Sequence, residues 1–346
     1  MRVLNNPLRG NGLAATRGMA EGEISLDIDT ARALYARCPI AKPTPLVSLT
    51  HLAADLGVKS LHAKDERQRM GLGSFKALGA AYALAKQAAA AGGDPATALN
   101  GRTYVCASAG NHGISLAAGA QLFGAAAVVY LSRTVPESFA ERLRDKGADV
   151  LRVGADYEES HAAAMEESDK RGWHLLADSS WDDYADLPRD VMEGYLIMGA
   201  EAAEQIPEPP THVFLQAGVG GLAAAGAAMA RTSWGDAVKI IVVEPEVAPA
   251  LYNSIEAGEA VHTPGPVSTM GRLDCKEPSH LALKYLAREA DAFVLVSERE
   301  GKEAASRLAN ADMPTTPSGA GGFAGLGGMA EPGMRAFIYV SEGPDE

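Results

Sequence analysis

Short runs of β-branched and apolar residues alternate with longer Ala-rich segments along this chain, and that alternation is the tightest constraint on its fold. Strands that repeatedly feed a helix and then another strand specify an α/β protein built on mostly parallel, twisted sheets. Strands are expected over 103–107, 126–131, 149–153, 213–216, 239–243, 293–296 and 337–340. They are apolar almost throughout, as strands covered by helices on both faces must be. Helices are expected over 74–91, 113–122, 136–146, 157–171, 221–230 and 299–309. The segment Ile206-Pro207-Glu208-Pro209-Pro210 reads as a linker, because three prolines can continue neither a helix nor a central strand. One such sheet occupies about 100–150 residues, so a chain of 346 predicts two domains. The smaller is placed at 84–204, and the larger, discontinuous one at 1–83 and 205–346.

Charge and cysteine content narrow the function. Lys and Arg number 31 against 44 Asp and Glu, a formal net charge of −13 with no basic block. That argues against nucleic acid as a partner, since binding it needs clustered cations to displace counterions from phosphates. No apolar run approaches the ~20 residues that span a bilayer, so no membrane partner is expected. The first residues lack the apolar stretch of a secretory signal, which makes a cytoplasmic location the expectation. Cys38, Cys106 and Cys275 are few and scattered, indicating neither a disulfide framework nor a metal site.

Four stretches carry candidate chemistry. In Gly73-Ser74-Phe75-Lys76-Ala77-Leu78-Gly79, Lys76 sits where a glycine-rich turn meets a helix start. Desolvation there favours a neutral amine able to attack a carbonyl; a solvated surface lysine is the plain alternative. In Ser108-Ala109-Gly110-Asn111-His112-Gly113 a strand end becomes a helix whose first N–H groups can receive a carboxylate. An ordinary tight turn accounts for the same residues. His112 reads as structural rather than metal-binding, because no His or Cys lies at a ligand spacing. In Gln216-Ala217-Gly218-Val219-Gly220-Gly221-Leu222, glycines let the backbone wrap a phosphate at a helix N-terminus. A nucleotide remains an alternative there: the loop has Ala223 at the last position of the dinucleotide fingerprint, and Glu244 resembles a ribose-binding acid. Pro317-Ser318-Gly319-Ala320-Gly321-Gly322 taken alone marks a turn before a helix.

In combination and in this order, the four stretches resemble the pyridoxal-phosphate enzymes of the tryptophan-synthase-β fold. Within that group the chain is most similar to the diaminopropionate ammonia-lyases. The likeness runs from about Asn6 to Glu342 and includes Asp178-Ser179-Ser180-Trp181-Asp182-Asp183-Tyr184, Met192-Glu193-Gly194-Tyr195 and Thr269-Met270-Gly271-Arg272-Leu273. The resemblance implies that Lys76 carries pyridoxal 5'-phosphate as a Schiff base. It implies that the backbone of Gly218, Val219, Gly220, Gly221 and Leu222 binds the cofactor phosphate. Asn111 would bond the ring hydroxyl, Ser318 would face the pyridine nitrogen, and Ser108, Ala109, Gly110, Asn111 and His112 would grip the substrate carboxylate. Asp178 matches an acid that the family uses near the substrate α-carbon. The reaction implied is α,β-elimination of ammonia from 2,3-diaminopropionate or a similar small amino acid, giving a keto acid, in a homodimer. A serine, threonine or 3-hydroxyaspartate dehydratase and a β-replacement synthase are the alternatives. A neutral Ser318 leaves the ring a weaker electron sink than a carboxylate would, which favours elimination over transamination.

Two departures from the family pattern stand out. The lyases carry an aspartate immediately before Gly-Asn-His-Gly, where this chain has Ala109. With one acid–base group missing, the expectation is that Asp178 and Lys76 share the proton work and that one substrate enantiomer is processed. The chain is also shorter than typical members late in its sequence, around Asn310-Ala311-Asp312-Met313-Pro314-Thr315.

Overall fold

Which apolar residues are buried on which side decides the architecture. The computed structural model describes residues 1–14 and 16–344. Its strands are β1 (Arg2–Asn5), β2 (Leu46–Ser48), β3 (Ser60–Asp65), β4 (Thr103–Cys106), β5 (Ala126–Leu131), β6 (Asp149–Arg152), β7 (His174–Leu175), β8 (His212–Gln216), β9 (Lys239–Pro245), β10 (Ala292–Val296) and β11 (Arg335–Val340). Seven of them form one sheet in the order β1-β10-β9-β8-β11-β3-β2, and four form a second in the order β6-β5-β4-β7. The second sheet is parallel throughout. The first is parallel except at its edges, where β1 opposes β10 and β2 opposes β3. In the larger sheet, Leu215, Val242, Leu295 and Tyr339 enter one core. Their neighbours Phe214, Val243, Val294 and Ile338 enter another. Residues of period two thus bury both faces, the condition that the continuous apolar runs predict.

The helices are α1 (Ile28–Tyr35), α2 (Thr50–Leu56), α3 (Ala80–Ala91), α4 (Asn111–Phe123), α5 (Glu137–Asp145), α6 (Tyr157–Arg171), α7 (Asp186–Gln205), α8 (Gly221–Trp234), α9 (Ala250–Ala257), α10 (His280–Glu289), α11 (Glu298–Ala309) and α12 (Gly321–Gly327). Each strand and helix expected from sequence is present, with one break. The expected helix 74–91 is a 3-10 turn at Phe75–Leu78 followed by α3, with Gly79 between them outside helical angles. A Cβ on Gly79 would lie 2.7 Å from the Tyr195 hydroxyl, so the chain bends where that ring packs.

The longest helix, α7, escapes the sequence pattern for physical reasons. Its Pro188 falls in the first turn, where a missing N–H costs no helical bond. Thirteen of its residues are buried, so it shows no clean apolar stripe. Gly194 and Gly199 let it approach its neighbours closely. A Cβ on Gly194 would meet the Leu78 carbonyl oxygen at 1.9 Å, and one on Gly199 would meet Met229 Cβ at 2.6 Å.

A buried ionic network ties α7 to the end of β3. Arg69, fully buried, makes paired bonds of 2.7 Å to the Glu66 carboxylate and of 2.8 Å to that of Glu201 on α7. Lys64 Nζ, also fully buried, reaches Glu201 at 2.8 Å and the Thr44 carbonyl at 2.6 Å. Glu244 is buried separately: its carboxyl accepts the Leu251 and Tyr252 N–H groups at 2.7 Å each, at the start of α9. Engaged in this cap, Glu244 is not the ribose-binding acid that its position after a strand suggests.

Two outcomes follow from these buried charges. Arg69→Met leaves the buried Glu66 carboxylate without its cation and Glu201 with Lys64 alone, and lowers unfolding free energy by about 3–5 kcal/mol in urea titration. Burial pushes the Glu244 carboxyl up to about 8 against the pull of its two backbone donors. Folding therefore favours its protonated form, so its contribution is complete below the ordinary carboxylate range and is lost as pH rises through about 8. Urea titrations of wild type and Glu244→Gln across that window should show the variant losing less stability with rising pH.

Candidate active site

Most of the stretches that carry chemistry leave the carboxyl end of a parallel strand, the side on which open α/β sheets bind ligands. β3 leads to the turn bearing Lys76, β4 to Ser108 and Asn111, β7 to Asp178, and β8 to Gly218 and Gly220. β11 leads to Ser341 and Glu342, and Ser318 comes from the turn before α12.

The Lys76 ammonium and the Asp178 carboxylate are in direct hydrogen-bonded contact. The rings of Phe75 and Tyr195 lie with their centroids 5.2 and 5.6 Å from Lys76 Nζ. Burial favours the neutral amine, as expected from sequence, but the Asp178 charge outweighs it and holds Lys76 protonated well above the usual lysine range. For Asp178 burial works the other way and is likewise overcome, chiefly by Lys76, so it stays ionised. The pair is thus an ion pair with its proton on nitrogen, and the free amine appears only when that proton is passed on.

Asp178 follows a strand of two residues, so side chains rather than a long ladder hold its segment. His112 Nε2 bonds the Leu176 carbonyl at 2.8 Å, and the Tyr184 hydroxyl accepts the Ala177 N–H at 3.1 Å while donating to the Leu175 carbonyl at 2.9 Å. Burial depresses the His112 pKa, so the ring is neutral and donates through Nε2. This imidazole points inward at the Asp178 segment. Its share in gripping a carboxylate would therefore fall to its backbone N–H, alongside those of Ser108, Ala109 and Gly110. Gly113 permits the turn: a Cβ there would stand 2.2 Å from the Ser108 carbonyl oxygen. Trp181 stacks on Tyr184 at 4.3 Å and His161 meets Trp181 edge-on at 5.5 Å, forming an aromatic wall beside the segment.

The glycine loop suits a phosphate. Gly220 has φ +103° immediately before α8, and a Cβ on Gly218 would lie 2.9 Å from Cys275 Sγ. Gly221 and Leu222 begin a helix of 14 residues, so their N–H groups have no helical carbonyl to bond and carry the positive end of its dipole. Val219 accepts the Ser279 N–H through its carbonyl at 2.9 Å. Ser74 Oγ, 1% exposed and two residues from Lys76, has no partner among the described residues. An amine, an amide cradle and an unpartnered buried hydroxyl together fit pyridoxal phosphate.

Glu342 lies beside Asn111 in this site and is a residue that sequence reasoning did not single out. It is 4% exposed, accepts Asn111 Nδ2–H at 2.6 Å and the Thr316 hydroxyl, and faces Arg272 Nε at 3.2 Å. Ser318, 2% exposed, accepts the Arg272 backbone N–H at 3.1 Å, which leaves its own proton to donate. The signal for Glu342 was an acid two residues beyond the apolar strand 337–340, on the ligand side of the sheet. Thr316 and Arg272 carried no such signal.

Removing the Asp178 charge leaves burial to govern Lys76. In cofactor-free Asp178→Asn, the pH midpoint for labelling of Lys76 by an amine reagent should drop by about 2 units or more. An unmoved midpoint would show that the ion pair does not set the amine.

Comparison with known proteins identifies the family. The model of a family described as pyridoxal-phosphate dependent enzyme matches residues 38–335. Diaminopropionate ammonia-lyase of Escherichia coli K12 is 32% identical over 324 residues, covering 87% of this chain and 80% of its own. L-threonine ammonia-lyase of Geobacter sulfurreducens is 30% identical, over 74% of this chain and 59% of its own. The solved structure of the Escherichia coli diaminopropionate ammonia lyase, in complex with an aminoacrylate-PLP azomethine reaction intermediate, superposes with a TM-score of 0.85 at 25% identity. That superposition covers 99% of this chain and 93% of the other. Matched by the family model over residues 38–335 and 32% identical to a relative over 87% of its length, the chain belongs to the pyridoxal-phosphate dependent enzymes.

Proposed function

We propose that the chain eliminates ammonia from 2,3-diaminopropionate or a similarly small amino acid, with pyridoxal phosphate as cofactor. The contact between Lys76 Nζ and the Asp178 carboxylate carries this reading. Bound pyridoxal phosphate supplies the electron sink that lets an amino acid lose its α-proton. Lys76 would hold it covalently, the N–H groups of Gly218, Val219, Gly220, Gly221 and Leu222 would hold its phosphate, and Asn111 its ring hydroxyl. Ser318, with a proton left to donate, suits an unprotonated ring nitrogen.

The turn at 108–112 would receive the substrate carboxylate on amides at the start of α4. As a neutral amine, Lys76 Nζ would take the α-proton, and the adjoining Asp178 carboxylate would steady the ammonium that results. For 2,3-diaminopropionate, one substrate and one water give one pyruvate and two ammonia molecules. Ala109 offers no proton and no negative charge. That absence favours, as a second reading, a β-hydroxyl leaving group in place of a charged amine, as in serine, threonine or 3-hydroxyaspartate.

We propose further that residues 1–83 and 205–346 form the larger, phosphate-binding domain and 84–204 the smaller, carboxylate-binding one. The grouping of β4 to β7 in a separate sheet supports that division. Among the described residues no helix is long and apolar enough to cross a membrane. We propose a homodimer in the cytoplasm as the working form, which sedimentation and cell fractionation would check.

Ammonia and keto-acid release tests the reaction. One enantiomer of 2,3-diaminopropionate should turn over at least about 100-fold faster than the other, because a single acid–base pair serves one face of the α-carbon. Comparable rates for both would sink the one-pair reading. Faster turnover of serine or threonine than of either diamine would favour the dehydratase.

A further inference from the structure

Asp178 lies two residues before Ser180, and Ser180 is joined to the far side of the site through a second serine. The Ser180 N–H donates to Ser279 Oγ at 3.0 Å, and the two hydroxyls lie 2.8 Å apart. Ser180 Oγ accepts the Leu281 N–H at 2.9 Å, and the Ser180 carbonyl accepts the His280 N–H at 2.9 Å. Ser279 in turn donates its N–H to the Val219 carbonyl at 2.9 Å, inside the glycine loop. Both serines are buried, at 1% and 0% exposure. An unbroken path of short bonds therefore runs from the Asp178 segment, which emerges from the smaller sheet, to the amide cradle at the end of β8.

We propose that Ser180 and Ser279 form a positioning latch that sets Asp178 in register with the glycine loop. The proposal rests on the reading above, in which that loop holds the cofactor phosphate and Asp178 steadies the Lys76 ammonium formed when the α-proton is taken. His112 and Tyr184 fix the segment to its own sheet, upstream of Asp178. The serine pair fixes it downstream, to the elements that carry the cradle. Held at both ends, the carboxylate meets Lys76 in one geometry, and a loop displaced by its ligand moves Asp178 with it. Neither serine touches Lys76 or the cradle amides by its side chain, so their role is positioning. Any hydroxyl lost from the pair leaves buried donors unpartnered and frees the segment on that side.

Ser279→Ala and Ser180→Ala, each as the holoenzyme, test the latch beside Ser254→Ala. Ser254 is an equally buried serine whose hydroxyl bonds the Ala250 carbonyl within α9. With rates normalised to bound cofactor, kcat should fall about tenfold or more in each latch variant, with KM within about twofold of wild type. The double variant should fall no further than the worse single, because the two hydroxyls act as one unit. In cofactor-free Ser279→Ala, Lys76 should react with an amine reagent several-fold faster at pH 8 than in wild type, since a loosened Asp178 protects it less. Ser254→Ala should leave kcat and labelling unchanged. An unchanged kcat in both latch variants, effects that multiply in the double, or equal losses in Ser254→Ala would overturn the latch. If Asp178→Asn itself turns over normally, the reading of Asp178 fails instead, and the two failures are thereby told apart.

Discussion

Arg69 stands between Glu66 and Glu201, and much of the site depends on that bridge. Glu66 ends the segment leaving β3, seven residues before Arg69's turn passes into Gly73, whose φ of +81° admits the tight approach to Lys76. Glu201 belongs to α7, and the same helix presents Gly194 to the Leu78 carbonyl. The lysine-bearing turn is thereby held at its entrance by charge and at its exit by backbone contact. A buried ionic triad contributes little net stability once desolvation is counted. What it contributes here is a single arrangement: no rotation of α7 keeps both carboxylates on one guanidinium.

The parallel sheets solve the remaining problem of convergence. Strands that share a direction release their loops at one end, so residues far apart in sequence meet there. Lys76 and Asp178 are 102 positions apart, and Asn111 and Glu342 are 231 apart. The cost falls on the shortest strand. β7 has two residues, and the acid it delivers relies on His112, Tyr184 and the serine pair for its place.

Legibility in sequence followed burial type. β5 and β8 to β11 are apolar because both faces are covered, and they were legible. β3 was not: Ser60-Leu61-His62-Ala63-Lys64-Asp65 carries polar residues, and Lys64 is buried where Glu201, Gln205 and the Thr44 carbonyl receive it. α7 was hidden by being buried on too many sides to show a period. Glycine-rich turns exposed Lys76, the 108–113 turn and the 218–222 loop, since each needs a backbone that a Cβ would obstruct or an amide that must stay open. Their roles came from family likeness and not from spacing. Glu342 had no such marker, because a lone acid after a strand is common and its partners Asn111 and Thr316 meet it only in the folded chain.

Cys275 lies against the glycine loop, close enough that Gly218 can bear no side chain. Burial pushes its thiol up to about 12, so at physiological pH it carries almost no thiolate. Peroxides and electrophiles act on the thiolate, so a raised thiol pKa slows their attack on this sulfur. The cradle thus keeps a sulfur atom as packing material against its backbone, in the space that the missing side chain of Gly218 leaves open.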